Sequence, residues 1–224
     1  MVRARGGYDT GMPTKTKQPR SAARGTTGSR RATPRKPDGI ALLKADHREV
    51  DQLFKRFEKA GDGATKQKRK LVDQIIVDLS RHASIEERVL YPWMREYVDQ
   101  SDDMVLEALE EHHVVKWLLW EREDLDPTDE RFDAKVTVLI ENVRHHVKEE
   151  ESDLFSDLRD VATRAELADL GDALRTAKRG APTRPHPKGP DTPPGNVVAA
   201  PITSALDHAR DVGRDVVGRI GGVS

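Results

Sequence analysis

No cysteine occurs in the 224 residues. Disulfides, zinc fingers, thiolate metal sites and a cysteine nucleophile are thereby excluded. Any metal must be held through nitrogen and oxygen. Long apolar runs are missing as well. Nothing approaches the roughly 18 residues of a membrane span, and the arginine-bearing N-terminus lacks the apolar segment of a secretory signal. A cytoplasmic protein without a membrane partner is expected. Aromatic residues make up 4% and charged residues 34%, a balance that suits a helical protein with a modest core. There is no glycine-rich phosphate loop and no G-x-S-x-G elbow, and nothing reads as a strand.

The net charge of −1 conceals an asymmetry. Residues 1–37 hold ten basic side chains and one acid, Asp9, so the remainder is acidic. This stretch is rich in Gly, Pro, Thr, Ser and Arg without apolar periodicity, and is expected to be a disordered basic arm. Charge alone would let it touch nucleic acid. Its arginines lack interleaved aromatics, so a solvated tail is the expectation.

Residues 38–160 read as four amphipathic helices. Helix A (about 39–59) follows Asp38 as N-cap and turns Ile40, Leu43, Val50, Leu53, Phe54 and Phe57 inward. Helix B starts near Lys66 and carries Leu71, Ile75, Leu79, Ile85, Val89 and Leu90, and Pro92 should end or kink it. Helix C runs from about Asp102 to Glu123 and helix D over about 130–159. Short loops argue for an all-α, up-down-up-down four-helix bundle. Thr163 and Glu166 have capping-box spacing and open an additional helix within 161–180. Residues 181–201 read as a Pro-rich linker, and 202–224 as a short amphipathic C-terminal segment.

The histidines reveal a duplication. His47 is followed by Val50, Leu53 and Phe54, and His112 by Val115, Leu118 and Leu119 at the same offsets. An acid precedes each, Asp46 and Glu111. Helix B reads His82-x-x-x-Glu86-Glu-x-x-Leu90-Tyr91, and helix D reads His146-x-x-x-Glu150-Glu-x-x-Leu154-Phe155. The two hairpins are offset by 65 residues at His47/His112 and by 64 at His82/His146 and Glu86/Glu150. The register selects His112 over His113, which would be rotated about 100° off the core face.

Residues at i and i+4 share a helix face. His82 with Glu86, and His146 with Glu150, therefore each aim an imidazole and a carboxylate at the interior, and His47 and His112 add one imidazole apiece. A lone histidine, or a single H-x-x-x-E, is ordinarily a surface feature. Here all six lie on apolar faces, where burial without a counter-charge costs several kcal/mol per ion. Two metal ions supply that charge. Iron fits such a nitrogen and oxygen set best, with manganese or zinc less expected.

The single histidine on helices A and C, with H-x-x-x-E on B and D, resembles the hemerythrin-like HHE cation-binding domain over roughly residues 40–160. The resemblance implies a non-heme di-iron centre ligated by His47, His82, Glu86, His112, His146 and Glu150, the two glutamates bridging. The oxygen-carrying members have H-x-x-x-H on the third helix; here Lys116 stands four residues after His112. A carboxylate-richer site follows, and redox reactivity or sensing is expected over reversible oxygen carriage. The implied function is to sense or react with oxygen, peroxide or nitric oxide, as in oxidative stress. The alternatives are a catalase-like peroxide-decomposing enzyme and a metal-free helical interaction module.

Overall fold

A computed structural model describes residues 37–220, with side chains described except at 208–209 and 212–220. The basic arm expected over 1–37 lies outside the described residues except for Pro37, as does the end of the C-terminal segment.

All regular elements among the described residues are helical. Helix α1 (Gly39–Glu58) is capped by the Asp38 carboxylate, which accepts from the Ala41 amide at 2.8 Å. Helix α2 (Thr65–Ile85) passes through a π-helical turn (Glu86–Leu90) into α3 (Tyr91–Tyr97). Helix α4 spans Asp102–Trp120. Helix α5 (Phe132–Glu149) passes through a second π turn (Glu150–Leu154) into α6 (Phe155–Val161). Helices α1, α2–α3, α4 and α5–α6 are the four members of the bundle. Helix α7 (Arg164–Arg179) opens with the expected capping box between Thr163 and Glu166.

The two π turns correct the reading of helices B and D as continuous, and each begins at the glutamate of H-x-x-x-E. Their cause lies in the spacing of buried positions. Residues 82, 86, 90, 94 and 98 are buried in one member, and 146, 150, 154 and 158 in the other. Three successive steps of four drift about 120° from a 3.6-residue period, more than one residue's rotation. A π turn absorbs the extra residue and keeps the stripe inward.

Pro92 does not end the member. It enters just after the π turn, where the chain is already re-aimed. Lacking an N–H, it leaves the Glu87 carbonyl five residues back without its π-type partner. The side chain of Asn196 takes that place, donating to the Glu87 carbonyl at 3.1 Å.

The Pro-rich stretch is not a free linker. Residues 181–185 are buried, and Asp207 accepts from the backbone amides of Thr183 and Arg184 at 3.0 and 3.1 Å. Helix α8 (Gly195–Ile220) starts seven residues ahead of the expected 202, with Pro201 inside it. Polar residues buried against Asp207 outweigh the linker-like composition.

Helix α7 lies close against the start of α1. A Cβ on Gly171 would come within 3.0 Å of backbone atoms of Pro37, Asp38 and Gly39, so only glycine allows this approach. Arg175 adds a hydrogen bond to the Pro37 carbonyl at 2.8 Å.

The core falls into two apolar clusters. One gathers Ile40, Leu43, Ile85, Leu90, Met94 and Leu158. The other gathers Val50, Phe54, Ile75, Leu119, Val136 and Leu139. Between them lies a layer of buried polar side chains.

Candidate metal centre

That layer contains all six side chains singled out above. His47, His82, Glu86, His112, His146 and Glu150 are each at most 6% exposed. They form two clusters with ligand atoms within 4.8 Å of one another. His47, His82, Glu86 and Glu150 make one, and Glu86, His112 and His146 the other.

Glu86 joins the clusters. Its Oε1 is 2.9 Å from His82 Nε2, and its Oε2 is 3.3 Å from His112 Nε2. Glu150 lies with the first cluster, 3.2 Å from His47 Nε2. At the second, the Tyr91 hydroxyl is 3.1 Å from His112 Nε2. The repeat places Phe155 opposite Tyr91, and it stacks on His47 with ring centroids 5.9 Å apart.

The imidazoles are oriented from behind by a set of acids that obeys the same duplication. Glu87 and Glu151, the residues after the two central glutamates, hold Nδ1 of His112 and His47 at 3.0 and 2.9 Å. Glu111 holds Nδ1 of His146 at 2.7 Å. Asp46 faces Nδ1 of His82 at 3.8 Å. Cations neutralise three of these acids: Lys116 at Glu87 (2.7 Å), Lys44 at Glu151 (2.8 Å) and Lys178 at Asp46 (2.6 Å). Lys178 comes from α7, so the helix outside the bundle contributes to the centre.

This arrangement fixes tautomers. A neutral imidazole that donates from Nδ1 carries a lone pair on Nε2. In both His112 and His146 the Nδ1 faces a carboxylate, and their Nε2 atoms face each other at 3.1 Å. The His47 and His82 Nε2 atoms stand 3.0 Å apart. Lone pairs so placed repel unless a cation lies among them. The carboxylate oxygens of Glu86 and Glu150 are buried and have no hydrogen-bond partner, an arrangement that costs free energy unless a metal compensates. The donor set therefore fits a pair of ions with nitrogen and oxygen preference.

Without an ion, protons take its place. Burial opposes charge on His82, but the Glu86 carboxylate, with Asp46 and Glu150, outweighs it and pushes the imidazole up to about 10. Burial likewise opposes charge on His112, and the neighbouring Glu86 and Glu87 carboxylates push it up to about 9. Burial raises Glu86, yet His82 and His112 hold it well below the usual carboxylate range. Burial and the charges of Glu86 and Glu150 drive the Tyr91 phenol up, so it keeps its proton.

His113 and His145 take no part in either buried cluster. His113 accepts from Trp117 Nε1 at 3.1 Å, and His145 is exposed beside Glu149 at 3.3 Å. Sequence reasoning missed Tyr91, Lys116 and Lys178. The aromatic after each H-x-x-x-E-E-x-x-L motif was the available signal for Tyr91; no local pattern marks Lys178.

Comparison with known proteins agrees with the geometry. The profile of the Hemerythrin HHE cation binding domain matches residues 38–158. An uncharacterised hemerythrin-like protein of Schizosaccharomyces pombe is 26% identical over 168 residues, 75% of this chain and 82% of that one. A DNA nickase of Nostoc sp. is 30% identical over 137 residues, 61% of this chain but only 38% of the nickase. The crystal structure of a hemerythrin HHE cation-binding-domain protein from Mycobacterium kansasii superposes with a TM-score of 0.56 at 21% identity, covering 64% of this chain and 86% of that one. That last likeness is one of fold.

Proposed function

Since the chain belongs to the hemerythrin HHE cation-binding family, we propose that it holds two iron ions and senses or reacts with a small oxidant: oxygen, peroxide or nitric oxide. His47, His82 and Glu150 would serve one ion, His112 and His146 the other, with Glu86 between them. Bound iron would supply one-electron redox chemistry that no side chain here provides. The facing Nε2 pairs, with His112 and His146 tied through Nδ1 to carboxylates, carry this reading.

The chain's own part is to orient the ligands and place protons. Glu87, Glu111 and Glu151 keep ring nitrogens aimed inward, and the two apolar clusters close the layer above and below. The Tyr91 phenol stands beside His112, 3.1 Å from Nε2, as a hydrogen-bond donor that the ligand set does not require. That feature favours peroxide decomposition as the second reading. DNA cleavage is not carried over from the Nostoc relative, whose matched part is 38% of its length.

Metal analysis and optical spectra of the purified full chain test the proposal. About two irons per chain are expected, with an oxo-to-iron band after oxidation. His112→Ala should lose iron from its half of the centre. Absence of bound metal in the unaltered chain rejects the reading. Oxygen release from peroxide that falls in Tyr91→Phe, with iron content retained, would select the enzymatic version.

A further inference from the structure

A cavity of about 530 Å³ reaches the faces of His47, His82, His112 and His146, with its remaining lining drawn largely from α1 and α5. Two ions and a small oxidant need only a fraction of that space. Cavities of roughly 300–1,000 Å³ are those that hold organic ligands. The inner wall is apolar, built from Val50, Phe54, Leu79, Val115, Val143 and Val147.

The outer lining is charged and unevenly paired. Lys44 of α1 bonds Glu151 at 2.8 Å. About two turns along, Arg144 of α5 bonds Asp51 at 3.0 Å and Glu58 at 2.6 Å. Arg48 lies four residues after Lys44 and three before Asp51; Lys148 lies four after Arg144 and three before Glu151. Each therefore sits on its helix face between the two bridges. Both line the cavity and are exposed, and among the described residues neither has a hydrogen bond or ion pair.

An apolar chamber with two unpaired cations at its rim complements one kind of molecule. We propose that the chamber binds an amphiphilic organic anion, a carboxylate with an aliphatic chain. Arg48 and Lys148 hold the head through charge-assisted hydrogen bonds, and the chain lies along the valine-rich wall toward the histidines. The site thus has an organic ligand in addition to the small oxidant. The inference rests on the chamber and does not require that the centre react with oxygen or peroxide.

Calorimetric titration of the iron-loaded full chain with butyrate, octanoate, decanoate and decanol tests it. Decanoate is expected to bind at one per chain and to exceed both butyrate and decanol by tenfold or more. Each added methylene should tighten binding by about fourfold until the chamber is full. Arg48→Glu with Lys148→Glu should weaken decanoate tenfold or more and leave decanol unchanged; both positions are exposed, and thermal melting confirms that the variant folds. Three results would overturn the proposal: equal affinity for butyrate and decanoate, indifference to the double reversal, or binding lost when iron alone is removed. The last would mean that the carboxylate ligates the ion instead of meeting the rim cations. Iron content and spectra are read separately, so failure of the chamber leaves the metal proposal standing.

Discussion

At the scale of single residues, the centre depends on side chains that no ion would touch. Lys116 shows this most clearly. It stands where the oxygen-carrying relatives offer a histidine, yet it points its ammonium at Glu87, 2.7 Å away, in a site where both are buried. Glu87 in turn orients His112. Lys116→Met would leave Glu87 buried with only the imidazole as partner, and breaking such a pair costs about 3 kcal/mol. Urea denaturation should show that loss, and the variant should load iron more weakly at the His112 half. The same residues give a pH dependence. In the metal-free fold, His82 and His112 sit at about 10 and about 9, against 6.5 for an ordinary imidazole. Their stabilising contribution is therefore fully present below about pH 6.5 and lost as pH rises through 9 to 10. In the proposed two-iron form the metal would displace these protons. Loading at pH 7 in weak buffer should release about two protons per chain, which an indicator dye would read, and the metal-free chain should be less stable at pH 10 than at pH 7.

At the scale of elements, the duplication was legible and its backbone consequence was not. Offsets of 64 and 65 residues put His47, His82, Glu86, His112, His146 and Glu150 in equivalent places, and helical rotation separated His112 from His113. The π turns were written in the four-residue steps 86–90–94–98 and 146–150–154–158, but a step of four fits an α-helix until several accumulate. The meeting of Asn196 with the Glu87 carbonyl could not be read at all. It joins residues 109 apart and answers a vacancy that Pro92 creates. Removing it tests the account. Asn196→Ala should leave a buried carbonyl unsatisfied, at about 1–3 kcal/mol. It should also loosen α8, seen as faster amide exchange in the residues around Glu87. An unchanged exchange pattern would show that α8 is held by Asp207 alone.

At the scale of the whole molecule, a polar layer divides the apolar core in two. Such a layer weakens a bundle unless something binds it, because four imidazoles and two carboxylates must be desolvated together. Fold class followed from composition and periodicity, since apolar clusters above and below the layer are built from ordinary 3-4 spacing. The packing of α7 did not. Gly171 and Lys178 act on α1 only after the chain has turned back on itself, bringing Lys178 to Asp46 across 132 residues. Iron should then act as a structural bolt as well as a reagent. An ion at about a thousand times its dissociation constant stabilises the folded state by about 4 kcal/mol, which for a domain of this size corresponds to a melting shift on the order of 10 °C. Thermal melts before and after chelation at pH 7 should show that gap. Raising the pH to 10 should widen it, because the metal-free form then loses the protons that substitute for the ions. A gap that stays constant with pH would show that His82 and His112 are not the groups that exchange proton for metal.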